Sequence, residues 1–302
     1  MADIIPFDKR SGSIWFDGKL VSWQDAKVHV LTHGLHYASS VFEGERVYSG
    51  RIYQLEEHTR RLFESARILD MKIRFTENEI NAASREVAKV QGFNDAYVRP
   101  VVFRGSEQMS VAAPHASTHI AIAVWQWPSY FDPALKMKGI RLTISDWRRP
   151  APDTAPWRSK AAGLYMICTI SKHKAEAEGY HDALMMDYRG LVAEATGANI
   201  FFVEEGKLIT PIADCFLDGV TRRSIIALAR ARQIPVVERY IEPDDLAKFS
   251  ECFLTGTAAE VTPVSEIGPH RFRPSTLTET LMHDYMEDVR RPVSEVRFGE
   301  AA

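Results

Sequence analysis

The sequence has few cysteines, no long basic run and no long apolar stretch. Its three cysteines, Cys168, Cys215 and Cys252, are widely spaced and match neither a zinc site nor a disulfide framework, so we expect reduced, buried thiols and no metal. No run of five lysines and arginines occurs and the net charge is −3, which argues against nucleic acid or an anionic membrane as a partner. Without eighteen consecutive apolar residues or a signal-peptide pattern, the expected location is the cytoplasm.

The composition is that of an ordinary globular protein, with 45% hydrophobic and 25% charged residues. Because 302 residues exceed the length at which one core usually stops growing, we expect two domains. Pro128 and Pro133 interrupt the pattern, since proline is excluded from central strands. We therefore predict a small α+β domain over 1–126, a linker over 127–137 and a larger α/β domain over 138–302.

Turn and periodicity signals place the elements of the first domain. Two hairpins are predicted, one turning at Asp17-Gly18 and one at Ser49-Gly50. Leucines two turns apart predict a helix that starts near Leu55, and Thr76-Glu77-Asn78-Glu79 has the form of a capping box that opens a second helix. Strands are predicted over 95–104 and 119–125.

The second domain alternates between apolar strands and amphipathic helices, which is typical of a mixed α/β unit. The strands are predicted over 139–145, 182–186, 200–203 and 251–254. The helices are predicted over 164–178, 221–233 and 276–290.

Lys160 and Glu194 stand in surroundings that suit catalysis. Lys160 lies among small residues in a polar loop that leads into an apolar helix, and Glu194 is an isolated acid before a strand. A lysine amine and a lone carboxylate are the two groups that pyridoxal phosphate chemistry needs, the first to bond the cofactor and the second to keep its ring nitrogen protonated. A lysine alone would more often be a solvated surface charge.

Two small-residue turns are able to present backbone N–H groups to a phosphate. Gly219-Val220-Thr221 stands at the start of a predicted helix, with Thr221 as its N-cap. Gly256-Thr257-Ala258 follows a predicted strand. The alternative for the first turn is an ordinary capped helix.

Four segments in this order resemble the fold-type IV pyridoxal phosphate aminotransferases, and within them the branched-chain aminotransferases; they span 158–165, 192–202, 216–223 and 256–263. The resemblance covers nearly the whole chain and implies a two-domain fold of α/β and α+β type, the D-amino-acid aminotransferase-like fold. It also implies pyridoxal 5'-phosphate as the cofactor and a homodimer or larger homo-oligomer. The implied reaction transfers the amino group of L-leucine, L-isoleucine or L-valine to 2-oxoglutarate.

The resemblance also implies roles for residues around the cofactor. Lys160 is the catalytic Schiff-base lysine, Tyr165 bonds the ring oxygen and Glu194 bonds the ring nitrogen, oriented by Asn199. Arg61 is the implied phosphate-binding arginine, since a guanidinium bonds two phosphate oxygens at once; the alternative is a surface ion pair with Glu57 or Glu64. The remaining implied cofactor contacts are Leu217, Gly219, Val220, Thr221, Gly256 and Thr257.

Substrate recognition is implied for residues of both halves of the chain. Tyr97 matches the tyrosine that helps hold the α-carboxylate, and Arg99 matches the arginine that takes the distal carboxylate of glutamate. The implied pocket consists of Tyr37, Phe42, Gly44, Arg46, Tyr97, Arg99, Met109, Trp127, Tyr130, Thr257 and Ala258. One departure is Gln108-Met109-Ser110-Val111, where the family usually has Gly-Met-Gly-Val, so this loop is expected to be shaped differently.

Other functions remain open at this point. A D-amino-acid transaminase, an (R)-amine transaminase or an aminodeoxychorismate lyase of the same fold would use the same lysine and acid. The residues Phe42, Gly44, Arg46, Tyr97 and Arg99 favour the branched-chain enzyme. A catalytically silent protein that binds pyridoxal phosphate is the alternative from another class.

Overall fold

The structure is a computed structural model that describes residues 5–127 and 137–291. Most of the predicted linker, including Tyr130, lies outside the described residues, so the predicted domain boundaries stay predictions. Within the described ranges, no helix has the length and apolar character needed to cross a membrane. Cys168, Cys215 and Cys252 are buried and form no disulfide, as expected.

The first half of the chain forms a seven-stranded antiparallel sheet in the order β2-β1-β7-β6-β4-β5, with β3 also paired to β6. Its strands are β1 Ser13–Phe16, β2 Lys19–Ser22, β3 Ser40–Phe42, β4 Glu45–Tyr48, β5 Arg51–Ile52, β6 Ala96–Arg104 and β7 Thr118–Trp125. Both predicted hairpins are confirmed, since Phe16 pairs with Lys19 and Tyr48 pairs with Arg51. Asp17 and Gly18 both have positive φ, as a two-residue hairpin turn requires.

Helices α1 His33–Tyr37, α2 Leu55–Ile68 and α3 Glu77–Gln91 accompany this sheet. The predicted capping box is confirmed, because the Thr76 side chain accepts from the Glu79 N–H while the Glu79 carboxylate accepts from the Thr76 N–H. Leu62, Ile80 and Val98 are fully buried in one core between the helices and the sheet.

The second half forms a nine-stranded mixed sheet. Its strands are β8 Ile140–Ile144, β9 Asp182–Met186, β10 Val192–Ala195, β11 Asn199–Glu204, β12 Lys207–Pro211, β13 Val236–Arg239, β14 Glu251–Gly256, β15 Glu260–Ile267 and β16 His270–Arg271. Six of them close into a ring in the order β8-β15-β14-β11-β10-β9. The pair that closes the ring between β10 and β11 joins Glu194 to Asn199.

Helices α4 Met166–Ala177, α5 Val220–Ala231 and α6 Thr276–Arg290 pack around this sheet. Side chains alternate along β11, so that Ile200 and Phe202 enter one core and Phe201 enters another with residues of α5 and α6. One helix start was predicted too early, because 162–165 is a 3-10 turn that precedes α4. The sequence interpretation also missed β10, β12, β13 and β15. Of these, β10, β12 and β15 each pair with the strand that precedes them in the chain, and β13 pairs in parallel with β12.

The two sheets are joined by polar contacts and by the loop that carries Lys160. The Tyr48 hydroxyl donates to Glu260 at 2.8 Å, and the Tyr53 hydroxyl donates to Asp288 at 2.7 Å. The Phe42 N–H donates to the Lys160 carbonyl at 3.2 Å, and the Lys160 N–H donates to the Ser65 hydroxyl at 2.9 Å. The loop of the second half is therefore held by β3 and α2 of the first.

Glu45 of β4 is a buried acid inside the first half. Its side chain is fully excluded from solvent, and neither carboxyl oxygen has a hydrogen-bond partner within residues 5–127 and 137–291. Burial, reinforced by the negative charge of Glu43, raises the pKa of Glu45 well above its ordinary value. The folded protein therefore keeps this carboxyl protonated over a wider pH range than the unfolded chain does.

We predict that Glu45→Leu stabilises the protein, and more so at pH 8 than at pH 5. The unfolded chain ionises Glu45 above its ordinary pKa, whereas the folded chain keeps the proton, so stability falls with rising pH by about 1.4 kcal/mol per unit until the raised pKa is reached. Leucine removes that loss. Urea unfolding at both pH values measures the effect, with Glu86→Leu as the control for an exposed acid. An equal change at both pH values would contradict the prediction.

Candidate active site

A cleft between the two halves of the chain collects most of the residues singled out from the sequence. Its cavity volume is about 100 Å³. The predicted residues that line it are Gly44, Arg61, Tyr97, Lys160, Tyr165, Glu194, Asn199, Leu217, Gly219, Val220, Thr221, Gly256, Thr257 and Ala258. Elements that are far apart in the sequence therefore meet at one place.

Lys160 extends its amine into the cleft from the loop before α4. The amine donates to the Tyr165 hydroxyl at 2.8 Å and lies 5.1 Å from the centre of the Phe42 ring. Burial, together with the nearby Arg61 guanidinium, lowers the pKa of Lys160 to about 8. The amine therefore gains and loses a proton close to physiological pH.

Glu194 lies at the seam of the ring, where β10 meets β11. One carboxylate oxygen accepts from the Asn199 amide at 3.1 Å, and the other lies 3.4 Å from Nε of Arg149. Burial raises the pKa of Glu194 to about 7, opposed by the positive charges of Arg149 and Lys160. The acid is therefore poised between its charged and neutral forms even with Arg149 beside it, and a further positive group would favour the charged form.

Arg61 of α2 forms a buried ion pair instead of a surface one. Its Nε and Nη2 donate to the two oxygens of Glu43 at 2.6 and 2.9 Å, and His58 lies 2.7 Å from the same carboxylate. Burial opposes ionisation of Glu43, but the charge of Arg61 outweighs it and holds the pKa of Glu43 well below its usual range. Since Arg61 also lines the cleft, Glu43 fixes its guanidinium there.

The N-terminus of α5 faces the cleft and is braced by Asn199. The Asn199 amide donates to the Leu217 carbonyl at 2.9 Å, and its oxygen accepts from the Gly219 N–H at 3.2 Å. A Cβ at position 219 would stand 2.3 Å from that oxygen, so the close approach requires glycine. The prediction of Thr221 as N-cap is wrong: Gly219 is the N-cap and Thr221 is buried within the first turn.

The turn after β14 forms the opposite wall. Gly256 packs against the 197–198 backbone, where a Cβ at this glycine would stand 3.4 Å from the Gly197 carbonyl. The Thr255 hydroxyl is buried and has no hydrogen-bond partner among the residues that the structure describes. This wall therefore keeps a polar group available beside the cleft.

Tyr97, Arg99, Phe42 and Gly44 form the end of the site that belongs to the first half. The Arg99 guanidinium donates to the Tyr97 hydroxyl at 3.3 Å and lies 4.7 Å above the Phe42 ring. A Cβ at Gly44 would stand 1.9 Å from the Tyr97 hydroxyl, so glycine leaves room for that phenol. Trp127 packs on Tyr97 with ring centres 5.0 Å apart, so these residues combine one cation with apolar walls.

Within the described part of the chain, six predicted substrate contacts are not among the residues that line the cleft. Phe42, Arg99 and Trp127 pack beside its Tyr97 end, whereas Arg46, Tyr37 and Met109 lie farther from it. Arg46 faces Glu260 at 3.6 Å and stacks on the Tyr48 ring. Tyr37 and Met109 lie on the surface, with 46% and 38% of their area exposed. Their roles stay predictions, as does that of Tyr130, which is not among the described residues.

The sequence interpretation missed part of the cleft, namely Arg149, Cys168, Thr196, Gly197, Ala198 and Thr255. Arg149 is the most consequential of these because it is 5% exposed and faces Glu194. A sequence signal existed, since Arg149 follows the end of a predicted strand. However, the motif Arg148-Arg149-Pro150 resembles a solvated loop, and only the fold brings it to β10.

Comparisons with known proteins agree with this arrangement. A "Probable branched-chain-amino-acid aminotransferase" of Rickettsia felis is 44% identical over 84% of this chain and 86% of its own length. A "Branched-chain-amino-acid aminotransferase" of Pseudomonas aeruginosa is 39% identical over 92% of this chain and 93% of its own. The crystal structure of the branched-chain amino acid aminotransferase from Thermobaculum terrenum in its PLP-form matches with a TM-score of 0.85 and 29% identity, covering 93% of this chain and 94% of that one.

The family model described as amino-transferase class IV matches residues 40–267, from β3 through β15. That range contains every cleft-lining residue from Gly44 to Ala258. It also includes most of both halves of the fold that the cleft separates. The chain therefore belongs to the class IV aminotransferase family.

Proposed function

We propose that this chain is a pyridoxal phosphate-dependent aminotransferase that moves the amino group of L-leucine, L-isoleucine or L-valine to 2-oxoglutarate. The observation that carries the proposal is one cleft in which the amine of Lys160 and the carboxylate of Glu194 face a common space. Tyr165 holds the amine and Asn199 holds the carboxylate. The names of the relatives point to the same activity.

The charges of the cleft fit an anionic cofactor. Arg61, Lys160 and Arg149 supply three cationic side chains, whereas Glu43 and Glu194 supply two acidic ones. The start of α5 adds the positive end of a helix dipole, where Gly219 leaves the backbone close to the cleft. A phosphate would balance this surplus of positive charge.

Each end of the cofactor has residues suited to hold it. Arg61 and the N–H groups at the start of α5 would take the phosphate, with Thr257 on the facing turn. Tyr165 would meet the ring oxygen and Glu194 the ring nitrogen. When bound, pyridoxal phosphate supplies a carbonyl that bonds amines and a ring that accepts electrons.

Lys160 is the residue suited to carry the proton at the substrate's α-carbon. Its pKa of about 8 leaves a sizeable neutral fraction at physiological pH, and only a neutral amine accepts a proton. The Tyr165 hydroxyl fixes the amine at 2.8 Å. Glu194, when ionised, stabilises positive charge at the far side of the same space.

The end of the cleft near β6 suits two classes of side chain. Phe42, Tyr97 and Trp127 offer ring faces to a branched aliphatic chain. The Nε of Arg99 has no hydrogen-bond partner among the described residues, so the guanidinium retains a donor for a carboxylate. This combination favours leucine-like substrates together with glutamate over D-amino acids or (R)-amines. It disfavours a silent binding protein.

We predict that Lys160→Ala lowers transamination by more than about 10⁴-fold, since both the covalent bond to the cofactor and the proton transfer need this amine. Pyridoxal phosphate should still bind through Arg61 and α5. Borohydride treatment of the wild-type holoenzyme, followed by peptide mapping, should place the cofactor on Lys160. Finding it on Lys172 or Lys174 instead would overturn the assignment.

We predict that Arg99→Ala weakens the glutamate and 2-oxoglutarate half-reaction far more than the leucine half-reaction. A distal carboxylate that loses a charge-assisted partner in a partly desolvated site loses about 2–5 kcal/mol. Leucine makes no such contact. Each half-reaction is followed separately through the absorbance of the bound cofactor, with Arg99→Lys as the charge-preserving control. Equal losses for both substrates would mean that Arg99 holds the shared α-carboxylate or supports the fold.

We also infer that the chain associates with copies of itself through a surface formed by 28–37 and 109–111. Val30, Leu35 and Val111 are 71%, 64% and 84% exposed. His33 joins the two segments, since its ring lies 2.8 Å from the Ser110 carbonyl. A contiguous apolar surface of this kind is typical of an interface. Tyr37 and Met109 lie on it, so in a dimer they would be enclosed.

We predict that the double variant Val30→Asp/Leu35→Asp shifts the protein to monomers. Two carboxylates placed in a buried interface would remain partly unpaired and oppose association. Sedimentation velocity measures the change, with Val237→Asp on β13 as the control for an exposed apolar residue elsewhere. If the double variant sediments like the wild type, this surface is not the interface.

A further inference from the structure

We propose that Arg149 is a positioning residue that keeps the Glu194 carboxylate ionised when Lys160 gives up its charge. This inference rests on the proposed function and deepens it. In this role Arg149 takes no direct part in the reaction. Two observations carry it: the way Arg149 is held, and the way charge is distributed around Glu194.

The backbone and side chain of Arg149 are both fixed. Its N–H donates to the Met186 carbonyl at 2.8 Å, and the residue forms a parallel bridge with Asp187. Its Nη1 lies 3.3 Å from the Cys168 sulfur and 3.5 Å from the Leu164 carbonyl. Because only 5% of the residue is exposed, this guanidinium has few other orientations.

The Glu194 carboxylate lies between Arg149 and Asn199. Nε of Arg149 stands 3.4 Å from one oxygen, and the Asn199 amide donates to the other at 3.1 Å. Asn199 is neutral and serves orientation. The charge of Arg149 is the part of this arrangement that favours the ionised acid.

The other groups that act on Glu194 do not replace Arg149. Lys160 is the second cation that favours its ionised form, whereas the interactions with Tyr165, Cys168 and Cys215 involve groups that are neutral at physiological pH. Lys160 loses its charge whenever its amine is deprotonated, which its pKa of about 8 allows near physiological pH. At those moments Arg149 is the fixed positive charge left beside the acid.

The consequence concerns the ring nitrogen that the acid is proposed to face. An ionised carboxylate accepts a hydrogen bond from a protonated ring nitrogen, whereas a neutral carboxyl does not stabilise that positive charge. Burial pushes Glu194 toward the neutral form, and a fixed guanidinium opposes that push. Arg149 would therefore act on the cofactor only through Glu194.

The test is a double-mutant cycle with cofactor affinity as the readout. Arg149→Met removes the charge at similar length, and Arg149→Lys retains it. Each is made in the wild type and in Glu194→Gln, and the apoproteins are titrated with pyridoxal phosphate. We expect Arg149→Met to weaken binding at least tenfold in the wild type and less than twofold in Glu194→Gln. Arg149→Lys should stay within about threefold of the wild type, as expected for a retained charge.

A second ligand separates this role from structural support. The 1-deaza analogue of pyridoxal phosphate has carbon in place of the ring nitrogen, so its affinity should not change between the wild type and Arg149→Met. If Arg149→Met lowered the affinity equally in the wild type and in Glu194→Gln, and equally for pyridoxal phosphate and its 1-deaza analogue, the inference would be overturned. Arg149 would then only support the structure through its contacts with Leu164 and Met186. If Arg149→Met does not fold, Arg149→Gln, a polar neutral variant, enters the same cycle. Failure of the wild type to bind pyridoxal phosphate would instead refute the proposed function.

Discussion

The cost of burying charge is the constraint on which this site depends. Arg61, Lys160, Glu43 and Glu194 all lie out of bulk water, so each must be paired, shifted in pKa or given a ligand. Glu43 and Arg61 solve the problem by pairing with two short hydrogen bonds. Lys160 and Glu194 instead have pKa values shifted toward neutrality, which leaves them able to exchange protons.

The two halves of the chain contribute opposite parts of this arrangement. The first sheet and α2 supply Arg61 and hold the Lys160 backbone, whereas the ring of the second sheet supplies Glu194 and the start of α5. Neither half contains a complete site. The polar contacts of Tyr48 and Tyr53 across the two halves therefore matter for catalysis as well as for stability, since they keep the two sets of side chains in register.

Local signals in the sequence were sufficient for much of the fold and for the centre of the site. The hairpin at Asp17, the capping box at Thr76 and the surroundings of Lys160 each depend on a few neighbouring residues. Two contacts could not be predicted from neighbouring residues. Arg149 meets Glu194, and Arg61 meets Glu43, only because the fold brings these separate segments together. The N-cap of α5 was misplaced for a related reason, since Asn199 from a distant strand braces Gly219.

The closure of the ring has a consequence for how this enzyme can change. The registered pair that closes it, Glu194 with Asn199, is also the pair whose side chains meet at the cleft. A substitution that weakens the pairing of β10 with β11 therefore displaces Glu194, and one that displaces Glu194 strains that pairing. Glu194 and Asn199 serve both the fold and the site, so they tolerate little change. The residues of the substrate end near β6 have no such double role and can vary. New specificities in this scaffold should arise at the first sheet, leaving the ring unaltered.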